Sequence, residues 1–296
     1  MAGWLYCWVF SGCVADSHPS HIHEFSMPEL PEVETYVREL KPQLVGKQIV
    51  GGQVFWPRII AQSDPPLFLQ LIRGERFDTF GRRGKYMLLG LESGDTLIIH
   101  LRMTGEVRVH PPQVEADKHT HLLLELESGE RLHYRDPRKF GRLWLVADVE
   151  GVVGKLGPEP LGPEFSPTAL AGKLAGRGAS IKALLLNQTL LAGVGNIYAD
   201  EALFLAGIDP RRAGGELSSV EVERLHGAVI AVLRAGIEGR GSSLQNYAPP
   251  SGEKGAFQEQ HQVFRRTEQP CLHCGTPIRR IVLAQRSTHF CPRCQV

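Results

Sequence analysis

The sequence predicts an α+β multidomain chain: an N-terminal β-sandwich with flanking helices, a helical domain, and a small C-terminal ribbon built on paired cysteines. Three observations carry that expectation. Residues 48–147 hold short β-prone runs joined across Ser-Gly turns. A stretch dense in Pro and Gly at 156–167 is followed by a change to helical period. Four cysteines form two tight pairs, Cys271-x2-Cys274 and Cys291-x2-Cys294. The expected divisions are an extension at 1–27, a first domain at 28–155, a linker at 156–167, a helical domain at 168–260 and a ribbon at 261–296.

The elements follow in order. Residues 1–26 hold two Trp, two Cys and three His but no Lys or Arg, whereas Met27-Pro28-Glu29-Leu30-Pro31-Glu32 reads like the start of a protein. Residues 1–27 are therefore expected to be non-native or removed. Pro31 suits the first turn of a helix, with acidic residues near its positive end. Val33, Val37, Leu40 and Leu44 recur at helical spacing, Pro42 should disturb the last turn, and Gly46 should end it. The apolar runs 86–91 and 96–101 flank Glu92-Ser93-Gly94-Asp95, and 122–126 and 132–134 flank Glu127-Ser128-Gly129-Glu130. Both read as antiparallel hairpins, and several such strands make a sandwich. Beyond the linker, 181–188 and 197–206 read as helices, the second capped by Asn196. Ser218 and Glu221 form a capping box ahead of Leu225, Val229, Val232 and Leu233. Gly239 and Gly241 close that helix, and 242–255 reads as a mobile polar loop.

The chain's 296 residues allow two or three domains. A net charge of +1 gives no sign of a nucleic-acid partner, so the distribution has to decide. Residues 261–296 carry six Arg against the single Glu268, and 131–142 carry four Arg and one Lys against Asp136. Such patches suit phosphate, or are merely a solvated surface. No apolar run reaches the roughly 18 residues that a membrane span needs. The apolar stretch 3–15 lacks the basic flank of a signal peptide, so the expected location is the cytoplasm.

Four constellations carry chemistry. In a reducing compartment, paired CxxC knuckles bind metal rather than form disulfides. Cys271, Cys274, Cys291 and Cys294 would complete a tetrahedron with no open position, so one zinc, structural, is expected in a zinc ribbon. Met27-Pro28-Glu29 is the second. Trimming after Met27 would leave Pro28 with a free secondary amine, far more of it neutral at pH 7 than of a lysine. Such an amine can attack a sugar C1′ and form an iminium, with Glu29 beside it to move protons. The plainer reading is a helix-starting proline. The third is Asp136-Pro137-Arg138-Lys139-Phe140-Gly141, whose Arg and aromatic share one side and can enter a duplex together, or form a plain β-turn. The fourth is Gly193-Val194-Gly195-Asn196, whose glycines would expose amides to phosphate, or join two helices.

Taken together, the chain from Met27 to Gln295 resembles the bacterial formamidopyrimidine-DNA glycosylases. The resemblance rests on MPELPEVE, RRGKY, HLRMTG, KHTH, DPRKFG, GVGNIYADEALF and AQRSTHFCPRC, in that order. It implies a β-sandwich facing a helix–two-turn–helix domain and a zinc ribbon, clamped on double-stranded DNA containing oxidised purines or abasic sites. It implies base excision with β,δ-elimination by a monomeric bacterial enzyme near the nucleoid. Pro28 would be the Schiff-base nucleophile, Glu29 the proton donor and Glu32 its supporting acid. Lys85 would serve β-elimination and phosphate binding, and Arg286 δ-elimination. Met103, Arg138 and Phe140 would fill the space left by the flipped nucleotide. His119, Arg177 and Asn196 match DNA-contacting positions, and Lys182, nearby in the second domain, is expected to bind DNA with them. Gln245-Asn246 departs from the Arg-Asp of many relatives, and Val263-Phe264-Arg265-Arg266 from the usual Val-Tyr-Gly-Arg. Two alternatives stand beside this reading: an endonuclease VIII-like enzyme for oxidised pyrimidines, which usually begins Met-Pro-Glu-Gly rather than with Leu30, and a non-catalytic damaged-DNA-binding protein in which the extension keeps the Pro28 nitrogen an amide.

Overall fold

The computed structural model describes residues 27–243, 247 and 249–296. The extension 1–26, and Gln245 and Asn246, lie outside the described residues.

The chain opens with α1 (Leu30–Leu44). The Glu32 carboxylate accepts the Glu29 N–H at 2.9 Å, which closes the helix start. Pro42 sits inside the helix without ending it, because it falls in the last turn. The strands are β1 (Ile49–Val54), β2 (Phe77–Arg83), β3 (Tyr86–Leu91), β4 (Thr96–His100), β5 (Glu106–His110), β6 (Thr120–Leu126), β7 (Arg131–Arg135) and β8 (Arg142–Val146). They form two four-stranded antiparallel sheets, in the orders β1-β6-β7-β5 and β2-β3-β4-β8. Both Ser-Gly turns join paired strands, as alternating patterns across a short polar turn require.

Between the sheets lies one apolar core, and α1 belongs to it. Val33, Tyr36, Val37, Leu40 and Leu44 pack with Phe77, Leu89, Leu124 and Leu143. An unforeseen helix, α2 (Pro65–Ile72), stands between β1 and β2. The Asp64 side chain caps it at Leu67 N, and Phe68 and Ile72 face the core while Leu67 and Leu71 stay exposed.

The helical part comprises α3 (Glu150–Val153), α4 (Pro167–Leu174), α5 (Ile181–Leu186), α6 (Asn196–Ala206) and α7 (Ser219–Glu238). The Ser218–Glu221 capping box starts α7, and Gly239 caps its end. Leu30 packs into this second core, so α1 bridges the two cores. The Pro- and Gly-rich segment is no free tether. Glu159 binds Arg82, Arg83 and the Gly84 N–H, which fixes it to the β2–β3 turn.

The ribbon holds β9 (Arg279–Leu283) and β10 (Arg286–Phe290) as an antiparallel hairpin. Ala284 and Gln285 turn it with φ of 47° and 59°, the two left-handed residues of a two-residue turn. Phe204 of α6 joins Val263, Ile278, Cys271 and Cys291 in a small third core, so the ribbon is seated on the helical part. Among the described residues, no helix is long and apolar enough to cross a membrane.

Candidate active site and DNA interface

Segments remote in sequence meet where α1 begins. Pro28 is buried beside them. The buried Glu29 carboxylate accepts the Ile197 N–H at 2.9 Å and the Tyr198 N–H at 3.5 Å. These are unpaired first-turn amides of α6, so Glu29 supplies the negative charge that the helix end favours. This corrects two expectations. Asn196 does not cap the helix: Gly195 is at the cap position, and the capping oxygen comes from α1. Nor is this turn an open phosphate cradle, because the chain's own carboxylate takes those two amides. The fit explains a glycine. A Cβ on Gly195 would stand 2.3 Å from the Glu29 carboxyl carbon. Leu30 N–H also donates to the Gly193 carbonyl at 3.1 Å, tying α1 to the same turn.

Glu32 lies one helical turn on, also buried. Its carboxylate accepts the Tyr198 hydroxyl at 2.8 Å and the Ser242 N–H at 2.8 Å, besides the Glu29 N–H. Tyr198 and Ser242 were not singled out from the sequence. A tyrosine next to a glycine turn gives no sign that its hydroxyl will reach an acid 166 residues away.

Lys85 occupies the β2–β3 turn after Gly84, which takes a φ of +55° and where a Cβ would stand 3.3 Å from the Gly193 nitrogen. Burial pushes the Lys85 ammonium below the ordinary lysine range, opposed by Glu29 and Glu32 and assisted by Arg286. Burial likewise pushes the Glu29 carboxyl up to about 7, against the pull of Lys85 and with the push of Glu32. Burial also raises Glu32. A carboxyl near 7 can give and take a proton at neutral pH, and a desolvated lysine more readily sheds its proton.

A second group is organised by Asp136, which is fully buried. Its two oxygens accept the N–H groups of Arg138 (3.1 Å), Phe140 (2.8 Å) and Gly141 (2.8 Å), and the Thr104 hydroxyl. One carboxylate thus ties the Met103 loop to the loop carrying Arg138 and Phe140. Met103 is half-buried and Phe140 exposed, with the Arg138 guanidinium 4.8 Å from the Phe140 ring centre. The His119 carbonyl accepts the Asp136 N–H at 2.9 Å, which sets His119 at the foot of this loop.

The ribbon reaches the site through Asn196. Its side-chain amide donates to the Ser287 carbonyl at 2.9 Å, next to the exposed Arg286. Asp200 accepts the His289 N–H at 2.9 Å and the Lys182 ammonium at 2.5 Å. Lys182 is wholly enclosed and also donates to the Asn196 carbonyl. It is a support beneath the Asn196 turn, and the expectation that it contacts DNA is corrected: its charge is spent on Asp200. Arg177 is exposed in the turn between α4 and α5, away from the hydrogen bonds that join the other candidates.

The four ribbon cysteines bring their sulfurs within 4.8 Å of one another, with Cys271–Cys294 at 3.9 Å and Cys274–Cys291 at 3.5 Å. A tetrahedral zinc with bonds near 2.3 Å sets sulfurs about 3.8 Å apart. The donor set therefore fits one structural zinc, with no ligand position left for substrate.

Fold and site together define a multidomain zinc-ribbon protein with a buried acid–lysine centre and an aromatic–arginine loop. Residues 27–143 match the formamidopyrimidine-DNA glycosylase N-terminal domain, 156–247 its H2TH domain, and 268–296 a zinc finger found in FPG and IleRS. The chain belongs to the formamidopyrimidine-DNA glycosylase family. It is 49% identical over 273 residues to the enzyme so named from Symbiobacterium thermophilum, spanning 91% of this chain and 89% of that one. It is 49% identical to that from Chloroflexus aggregans, spanning 91% and 99%. Among solved structures, the MutM (FPG) protein of Thermus thermophilus superposes with a TM-score of 0.82 at 42% identity, covering 90% of this chain and 98% of that one. Lactococcus lactis Fpg with abasic-site DNA gives 0.84 at 36% identity, covering 90% and 99%.

Proposed function

We propose that this chain is a bifunctional DNA glycosylase and abasic-site lyase for oxidised purines such as 8-oxoguanine and formamidopyrimidines, acting through the amine of Pro28 once residues 1–27 are removed. The observation that carries it is the buried cluster of Glu29, Glu32 and Lys85, whose charges act on one another, with Glu29 directly after the buried Pro28. The named relatives excise such bases by name, and Lactococcus lactis Fpg has been solved with Fapy-dG and with abasic DNA.

The chemistry of these residues supports the proposed steps. The neutral Pro28 nitrogen attacks C1′ of the damaged nucleotide, and the C1′–base bond breaks with a proton supplied from Glu29. The nitrogen then sheds its proton, the C1′–O4′ bond breaks as O4′ takes up a proton, and the opened sugar is left as a C1′ iminium, which acidifies the C2′ proton. Removal of that proton expels the 3′ phosphate, and Lys85 stabilises the phosphate charge. A second elimination expels the 5′ phosphate beside Arg286, and water releases the sugar fragment from Pro28. Glu32, held by Tyr198 and Ser242, fixes the Glu29 backbone rather than reacting. Met103, Arg138 and Phe140 fill the stack behind the extruded nucleotide, with Arg138 facing the orphaned cytosine. His119, Arg177 and Asn196 line the DNA path. In this reading 28–155 is the catalytic unit, 156–167 its link, 168–260 and 261–296 the DNA grip.

Intact-mass measurement of protein made from its own gene, with an excision assay on 8-oxoguanine·cytosine duplex, tests the proposal. Chains beginning at Pro28 that release the base support it. Active chains beginning at Met1, or chains beginning at Pro28 with no excision, overturn it.

A further inference from the structure

Lys139 stands between the two residues of the proposed strand-entry loop, yet its backbone is left-handed, with φ of +60°. That region favours glycine, and a residue with a Cβ persists there only when its surroundings hold it. Two contacts hold it: the Lys139 N–H donates to the Asp136 carbonyl at 3.1 Å, and its ammonium reaches the Trp56 ring. The Lys139 ammonium lies 4.1 Å from the centre of the Trp56 ring, within cation–π range.

Trp56 is itself fixed to the frame that carries the loop. Phe55 N–H and Trp56 N–H donate to the His121 carbonyl at 2.9 and 3.4 Å, and Ala61 N–H donates to the Leu143 carbonyl at 2.8 Å. The His121 ring donates from Nε2 to the Asp136 carbonyl at 2.7 Å. The segment holding Trp56 and the base of the Asp136–Gly141 loop therefore share one support. Lys139 is drawn toward Trp56, while Arg138 and Phe140 stack on each other at 4.8 Å.

We propose that Trp56 is a positioning residue for strand entry: by holding Lys139 in its left-handed conformation, it keeps the Arg138–Phe140 pair presented to the duplex. This rests on the function proposed above, and Trp56 itself touches neither the lesion nor the reacting atoms.

The test follows unstacking before any bond breaks, so it needs no free Pro28 amine and uses the full chain. The probe is a duplex with 2-aminopurine beside 8-oxoguanine, whose fluorescence rises as the stack opens. Wild-type protein should give the rise. Trp56→Leu should slow it about two- to fivefold, the rate equivalent of losing one exposed cation–π contact. Duplex affinity should stay unchanged, while the thermal midpoint falls because Trp56 packs against the first-domain core. Trp56→Phe, which keeps a ring face, should recover most of the rate. Lys139→Met should match Trp56→Leu, and the double variant should be no slower than either. Lys139 is exposed, so its variant keeps the test informative if Trp56→Leu fails to fold. A wild-type rate in Trp56→Leu beside a slow Lys139→Met would overturn the inference, since Lys139 would then act on phosphate directly. So would equal losses of affinity and rate, or a Trp56→Phe as slow as Trp56→Leu. Absence of the rise with wild-type protein, both as the full chain and as the chain beginning at Pro28, would overturn the proposed function, and this inference with it.

Discussion

Glu29→Gln should make the protein more stable at neutral pH than the parent chain, while removing base excision. Gln keeps an oxygen for the Ile197 N–H, so the α6 cap survives. What disappears is the cost of ionising a buried carboxyl. Burial lifts Glu29 from 4.5 to about 7. Below pH 4.5 the acid is protonated in both states and costs nothing. Between 4.5 and about 7 the unfolded chain has released the proton and the folded chain has not, so parent stability falls as pH rises. At about 1.4 kcal/mol per pH unit, the window is worth roughly 3 kcal/mol. Urea denaturation of both proteins, zinc-loaded and followed by tryptophan fluorescence at pH 4 to 8.5, gives the difference directly. The Glu29→Gln variant should gain roughly 3 kcal/mol on the parent across that window and nothing more above it. A difference flat with pH would refute the reasoning. In the same picture, single-turnover base release by the parent falls as pH passes about 7, because the donor proton is lost.

Lys182→Met should cost about 3–5 kcal/mol of stability by stranding buried Asp200, yet leave the salt dependence of DNA binding unchanged; an altered slope in the folded protein would return Lys182 to the DNA surface. Arg286→Ala should flatten that slope by about one without changing the thermal midpoint, and an unchanged slope would remove Arg286 from the phosphate path. Asp136→Ala should cost on the order of 3 kcal/mol, since three N–H groups and the Thr104 hydroxyl lose one acceptor, and should abolish lesion unstacking; retained unstacking would show that the loop is held otherwise. Cys274→Ser should lower bound zinc from one per chain toward none by elemental analysis, and unaltered zinc would exclude Cys274 as a ligand.

Residues whose partners lie close in sequence were the legible ones. The α1 stripe of Val33, Val37, Leu40 and Leu44, the Ser218–Glu221 box and the two cysteine knuckles each declare themselves within a few residues. The α2 helix did not: Leu67, Phe68, Leu69, Leu71 and Ile72 are apolar on nearly every side, which hides a helical period, and only Asp64 before two prolines marks its start. Asn196 looked like a cap because Asn is a good local acceptor, but Glu29, 168 residues before Ile197, takes that place. Lys182 was expected at the DNA because it lies near the matched DNA-contacting positions. Nothing near it in sequence shows that Asp200 will neutralise it in the core. Asp136 was read for the Arg and Phe after it, although an Asp before Pro is well placed to gather the amides of its own turn.

The central claim is that a proline amine, made available by processing, becomes the nucleophile beside Glu29 and Lys85. Borohydride reduction during reaction with 8-oxoguanine·cytosine duplex, followed by peptide mass mapping of the cross-linked protein, tests it most directly. Chain beginning at Pro28 should be trapped on DNA through its first residue, and chain retaining residues 1–27 should not be trapped at all. An adduct on Lys85 or another lysine, or equal trapping of both chains, would contradict it.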